Sequence, residues 1–183
     1  MLIDESICMS SNEYHLSYEC FLEHPLYEQV SLPNRFINEL NQAHKRLAIL
    51  HVLTHWSPFL FNWDRASVVL AQHEGYLNLV SAFGSEAIAN EIPLPIDYTL
   101  VGRVFKTKRL IICKQLSLSN EQDCRMLAQA GLVTCMDAPI IYQKQCVGTL
   151  NVARFSGEFT KQEAIKLFYI ADLLGSALHL CKD

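Results

Sequence analysis

The sequence predicts an α+β sandwich, with a central antiparallel sheet of five to six strands covered by helices on one face and by loops and a helix on the other. Three observations carry this prediction. Segments with helical and strand patterning follow one another as helix, two strands, helix, strand, helix, two strands, helix. The last strand pair, in "VTCMDAPIIYQKQCVGTLNVARF" (133 to 155), is largely apolar on both faces, whereas a sheet with one wet face alternates apolar and polar residues. Long apolar helical stripes flank the strands on either side, near 36 to 50 and 164 to 178.

Taken in order, residues 1–32 read as an N-terminal helix or arm, because Tyr14, Tyr18, Phe21 and Leu22 fall at helical spacing before Pro25. Residues 33–183 read as one domain. "PNRFINELNQAHKRLAILHVLTHW" opens with proline near a helix start and continues as a single helix, with Phe36, Leu40, Ala43, Leu47 and Leu50 on one stripe. "RASVVLAQ" and "YLNLVSAF" are rich in strand formers and are separated by "HEG", a hairpin signal. Pro93 and Pro95 break the next stretch, and the Thr99 hydroxyl is placed to cap a short helix. "RLIICKQL" is a third strand. "SNEQDCRMLAQAG" is a short helix with Ser119 or Asn120 as cap and Gly131 as stop, and Thr160 caps the final helix.

Within the last hairpin, a two-residue turn at Gln143 and Lys144 puts Met136, Ala138, Ile140, Tyr142, Val147 and Thr149 on one face. Cys135, Pro139, Ile141, Cys146, Leu150 and Val152 take the other. In that register Cys135 faces Val152 and Cys146 faces Ile141, too far apart for a disulfide.

Composition excludes several classes of function. Half of the 183 residues are hydrophobic and 19% are charged, as in a folded globular domain. A net charge of −4 with scattered basic residues offers no positive field for a nucleic acid. No apolar run reaches the roughly 20 residues of a membrane span, and "MLIDESICMS" lacks the basic start and apolar core of a signal peptide, so the expected location is cytoplasmic. Seven cysteines without a close pair read as reduced, buried thiols. Four of them recur every eleven residues, but their neighbours differ and the spacing is taken as chance.

"IPLPIDYTLVGRVFKTKRLIICKQL", "GLVTCMDAPIIYQKQCVGTLNVAR" and "GEFTKQEAIKLFYIADLLGSAL" together resemble the GAF domain, a small-molecule sensor module of signalling proteins, over roughly residues 35 to 181. Pro139, Gly148, Leu150, Phe159 and Glu163 carry the likeness. The resemblance implies that the first and last helices pack on one face of the sheet and pair with a second subunit, giving a homodimer. It implies a ligand pocket on the other face, roofed by segments near 84 to 104 and 115 to 130. It also implies regulation of an attached output domain. Members bind cyclic nucleotides, bilins, haem or small metabolites, and the sequence names no cofactor among them. Asn151 is followed by Val152 instead of the lysine of cyclic-nucleotide binders, and Glu163 by Ala164. Cys124 is followed by Arg125 instead of the histidine of bilin attachment. Val101 stands where the sulfoxide-reducing members have a cysteine before Gly102.

The expected ligand-binding residues are Phe83, Leu116, Cys124, Leu127, Met136, Ala138 and Thr149 as pocket walls, joined by Asp97, Tyr98 and Arg103 at the roof helix. There the free N–H groups of a helix start suit an anion. Asp137 and Arg154 are expected as an ion pair beneath the terminal helices. His44, His51 and His55 share a helix face, but Val52 stands where a zinc protease needs its glutamate. No serine, histidine and acid arrangement or phosphate loop appears, so the expected function is sensing, not catalysis. The alternatives are a ligand-free dimerisation module and a thiol-dependent sulfoxide reductase.

Overall fold

A computed structural model describes residues 12–73, 75–85, 88 and 92–181. They form strand β1 (Glu13–Ser17), helix α1 (Tyr18–Glu23), a 3-10 turn (Leu26–Gln29), and helices α2 (Asn34–Gln42) and α3 (Arg46–Leu60). Strands β2 (Arg65–His73), β3 (Tyr76–Gly84) and β4 (Pro93–Pro95) follow, then helix α4 (Leu100–Thr107) and strand β5 (Arg109–Cys113). Helix α5 (Gln122–Gln129), the hairpin β6 (Thr134–Tyr142) and β7 (Gln145–Arg154), and helix α6 (Lys161–His179) complete the chain.

The strands make one antiparallel sheet in the order β1-β5-β6-β7-β2-β3-β4, so the hairpin predicted to be covered on both faces is central. Against one face pack α1, α2, α3 and α6, burying Phe21, Phe36, Leu53, Phe168 and Leu174 on Met136, Ala138, Ile140 and Leu150. Against the other lie α4, α5 and the loops around them, with Val104, Leu116 and Cys124 over Ile111, Cys135 and Ala153. The α+β sandwich is as expected, and its seven strands exceed the expected five to six by the short edge pieces β1 and β4. β1 replaces the start of the expected N-terminal helix. Tyr14 and Leu16 alternate inward on an edge strand paired with β5, and the helix begins only at Tyr18, capped by Ser17.

The expected six-turn helix is two helices. Ala43 and Lys45 are extended, which folds α2 back beside α3. A straight helix would hold residues twenty positions apart about 30 Å from each other. With the break, the Phe36 and Trp56 rings lie 6.2 Å apart and Trp56 Nε1 donates to Glu39 at 2.8 Å. Thr99 caps α4 by accepting from the Gly102 N–H, and Thr160 with Glu163 forms the capping box of α6. α5 differs from expectation: its N-cap position is Glu121, while Ser119 Oγ bonds the Glu121 side chain.

Gln143 and Lys144 form the hairpin turn, both at positive φ, the twist that two-residue hairpins favour. Beyond it, Ile141 pairs Cys146 but Ile140 pairs Gly148, leaving Val147 as a bulge. One extra residue exchanges the faces of everything after it. Cys135 therefore pairs Ala153, and Leu150 and Val152 join Met136 and Ala138 on the helix side. A second bulge at Val80 in β3 does the same to Phe83.

Candidate functional site

A small hollow lies between the sheet and the α4–α5 layer. Its floor holds two cross-strand rows: Ser67, Asn151 and Asp137, and beside it Arg65, Ala153 and Cys135. Val69, Leu79, Ile88, Leu94 and Val101 form apolar walls, and Asp123, Cys124 and Leu127 come from α5. The space open to the centres of water-sized spheres is about 30 Å³, room for one or two waters.

The polar floor is buried. Asp137 is 3% exposed, and burial pushes its carboxyl well above the usual carboxylate range. Asn151 Nδ2 reaches the Ser67 carbonyl and hydroxyl at 3.4 Å, while its Oδ1 has no partner among the described residues. Arg65 donates to the carbonyls of Ser85 and Ile88.

Of the expected wall residues, Cys124 and Leu127 line the hollow. Leu116 is buried in the same cluster without reaching it. Thr149 is on the correct sheet face, buried with its hydroxyl unpartnered, but stands beyond the lining. Met136, Ala138 and Phe83 are corrected to the helix side; the Val147 bulge in β7 separates the first two from Thr149, with which they were expected to share a face. Phe83 stacks edge-on with Trp63 at 5.6 Å.

The roof residues also differ from expectation. Asp97 and Tyr98 are exposed, and Asp97 pairs with Lys106 at 2.7 Å. Arg103 turns outward to Glu13 at 2.5 Å and Glu121 at 2.7 Å, so these three border an outer depression and not the hollow. The α4 N-terminus already has its anion. Asp123 Oδ1 accepts from Leu100 N–H at 2.9 Å and Oδ2 from Val101 N–H at 3.1 Å, with Cys124 N–H also on Oδ1. Burial pushes the Asp123 carboxyl up in spite of these three donors.

Asp137 and Arg154 do not pair. Arg154 reaches the Asn62 and Glu158 carbonyls and Glu163 on the helix side, over the Phe159 ring, whereas Asp137 faces the hollow. His51 and His55 are exposed on α3, and His44 lies in the break before it. Cys113, Cys124 and Cys135 meet beneath α5. Hydrogen bonding among the three is one-sided: the Cys124 and Cys135 side chains hold the Cys113 thiol down, toward the thiolate, while their bonds to Cys113, together with burial, push Cys124 and Cys135 up.

The Arg103–Glu13 pair ties β1 to the roof and sets a pH response. Arg103 and then His15 hold the Glu13 carboxyl down at about 2. A lowered folded-state pKa contributes stability that is present above about pH 4.5 and is lost as pH falls toward 2. Glu13→Gln is therefore expected to lose about 1–2 kcal/mol at pH 7, after discounting for solvent screening. Urea melts of the two proteins should converge as the pH is lowered from 4.5 to 2.

A central antiparallel sheet with its terminal helices on one face and a hollow under a helix-and-loop roof on the other is the arrangement to which the comparisons also lead. The family model described as GAF domain matches residues 46–178, well over half of the chain. The chain belongs to the GAF domain family. No curated protein matches the sequence significantly. Among solved structures, the GAF domain resembles that of a two-component sensor histidine kinase from Bacillus halodurans, at 20% identity and a TM-score of 0.66. That match covers 75% of this chain and 95% of the other. It also resembles a free methionine-R-sulfoxide reductase from Neisseria meningitidis in complex with its substrate, at 15% identity and a TM-score of 0.67, covering 80% and 85%. Likeness at these identities shows the shared fold. Among the described residues of the GAF domain, no helix is long and apolar enough to cross a membrane.

Sequence reasoning missed Arg65, Ser67, Asp123, Asp137 and Asn151 as neighbours in one hollow. The signal that was present is a polar residue at every second position in otherwise apolar strands: Arg65 and Ser67 in β2, Asn151 in β7. Placing Asp137 with them requires the bulge.

Proposed function

We propose that this GAF domain is a cytoplasmic small-molecule sensor that passes its ligand state through paired terminal helices to an output domain, with no catalysis of its own. The observation that carries this reading is the hollow whose floor presents Asn151 Oδ1, buried and without a partner among the described residues, beside the buried Asp137 carboxyl. Such atoms cost stability unless something outside the chain satisfies them.

A route outward is available. β6 places Cys135 and Asp137 in the hollow and Met136, Ala138 and Ile140 under the helices, so a ligand that shifts the strand also shifts the bed of α6. Ligand binding biases the helices only through such a difference in contacts between two states. Pairing in a homodimer is supported by Leu47 and Phe59, 80% and 71% exposed on α3.

The test uses a low-molecular-weight ultrafiltrate of cell lysate as probe. It should raise the melting temperature and slow amide exchange in both β6 and α6. Unchanged melting and exchange would overturn the sensor reading.

The clustering of Cys113, Cys124 and Cys135 favours thiol-dependent sulfoxide reduction as a second reading. Full retention of any reductase activity after all three are changed to serine would exclude it.

A further inference from the structure

Helix α3 turns one stripe of side chains outward. Leu47, His51, His55 and Phe59 follow one another at four-residue spacing, all exposed, while Leu53 at mid-height points into the core at 1% exposure. The stripe has the same character read from either end: apolar, imidazole, imidazole, apolar. A second copy running antiparallel therefore sets Leu47 against the partner's Phe59 and His51 against the partner's His55. An interface between identical chains related by a two-fold axis has to be complementary to itself in this way. Residues four apart also form the ridges that interlock when two helices cross at about 50°, the commonest crossing in globular proteins.

Two histidines one turn apart, about 6 Å along the axis, are half of a tetrahedral metal site. Among the described residues, no three metal-binding side chains gather within one chain, so the other ligands have to come from a second copy. The Trp56 ring stands edge-on to His55 at 5.8 Å. The Glu39 carboxylate, held by Trp56 Nε1 at 2.8 Å and Arg35 Nε at 2.9 Å, lies within electrostatic reach of the same imidazole. A carboxylate behind a metal-bound histidine is its usual support. We propose that two copies pair antiparallel through α3 and hold one zinc ion between them, on His51 and His55 of each copy. Four neutral imidazoles satisfy the tetrahedral preference of zinc, and Leu47 with Phe59 closes either end of the site by apolar contact. This inference rests on the homodimer proposed above and is independent of what the hollow holds.

The experiment titrates the full chain, first stripped of metal with EDTA, with zinc chloride, following mass by sedimentation velocity and bound metal by atomic absorption. Zinc should tighten the dimer about tenfold or more, at one ion per two chains. Cobalt in its place should show the strong visible absorption of a tetrahedral site. His51→Ala and His55→Ala, surface changes that leave the melt unaltered, should each lose about tenfold or more in zinc affinity. Leu47→Lys with Phe59→Glu in one chain puts opposite charges face to face in the antiparallel pair and should still dimerise with zinc. Leu47→Glu with Phe59→Glu should not.

A dimer of the same strength with and without zinc overturns the metal site and leaves the homodimer standing. A monomer in both conditions overturns both. Zinc bound equally well by the wild type and by a variant lacking both histidines overturns the site, and equal dimerisation of the two charged variants overturns the antiparallel pairing.

Discussion

Asp123→Ala is expected to remove about 3–5 kcal/mol of stability, because it strips the acceptors from three buried backbone N–H groups at once. Two of those N–H groups open α4 and the third lies in α5, so one carboxylate clamps the roof together. Domains of this size have about 5–15 kcal/mol in total, and the loss should be visible as a large drop in the urea midpoint. Asp123→Asn keeps one oxygen acceptor and should fall between the two. A loss under about 1 kcal/mol in the alanine variant would mean that water replaces the carboxylate and that the roof is open.

Gly175→Ala should be nearly as damaging for a different reason. A Cβ on Gly175 would stand 2.2 Å from the Ile141 carbonyl oxygen and 2.9 Å from its carbon. That carbonyl belongs to the backbone of central strand β6, so it cannot swing aside as a side chain would. Alanine in a helix interior ordinarily gains up to about 1 kcal/mol over glycine, but the forced separation of α6 from the sheet is expected to cost about 3 kcal/mol. The neighbouring Ser176 is exposed, and Ser176→Ala should stabilise slightly, which isolates the contact as the cause. Equal or higher stability of Gly175→Ala would show that α6 sits farther from β6.

These two sites mark where the sequence was legible and where it was not. Helix ends could be read because their chemistry is local: Thr99 and Thr160 cap as their hydroxyls and spacing indicate. The central hairpin could be read because two apolar faces need two covers. The two-residue turn was placed correctly although Gln143 and Lys144 are not the usual residues there. Pocket walls could not be read beyond Cys124 and Leu127, since Val147 and Val80 are ordinary strand residues whose bulging depends on strand pairing. The Val80 bulge carries Phe83 to the other face, and the Val147 bulge puts Thr149 on the face opposite Met136 and Ala138, so the expected shared wall is split between the two faces.

The break between α2 and α3 was hidden for a similar reason. Nothing at Ala43 to Lys45 forbids a helix, and the break shows only in the tertiary contacts that it permits, Trp56 against Phe36 and Trp56 Nε1 on Glu39. Asp123 was not singled out in the sequence, and the structure places it against the N-terminus of another helix, where the sequence led us to expect a ligand.

The central claim is that the hollow on the α4–α5 side of the sheet holds a small molecule. Native mass spectrometry of freshly purified protein, beside an Ala153→Leu variant that fills the hollow from its floor and still melts cooperatively, tests this most directly. The wild type should carry an added small-molecule mass that disappears on denaturation, and the variant should lack it. The same bare mass in both proteins, or the same added mass in both, would contradict the claim.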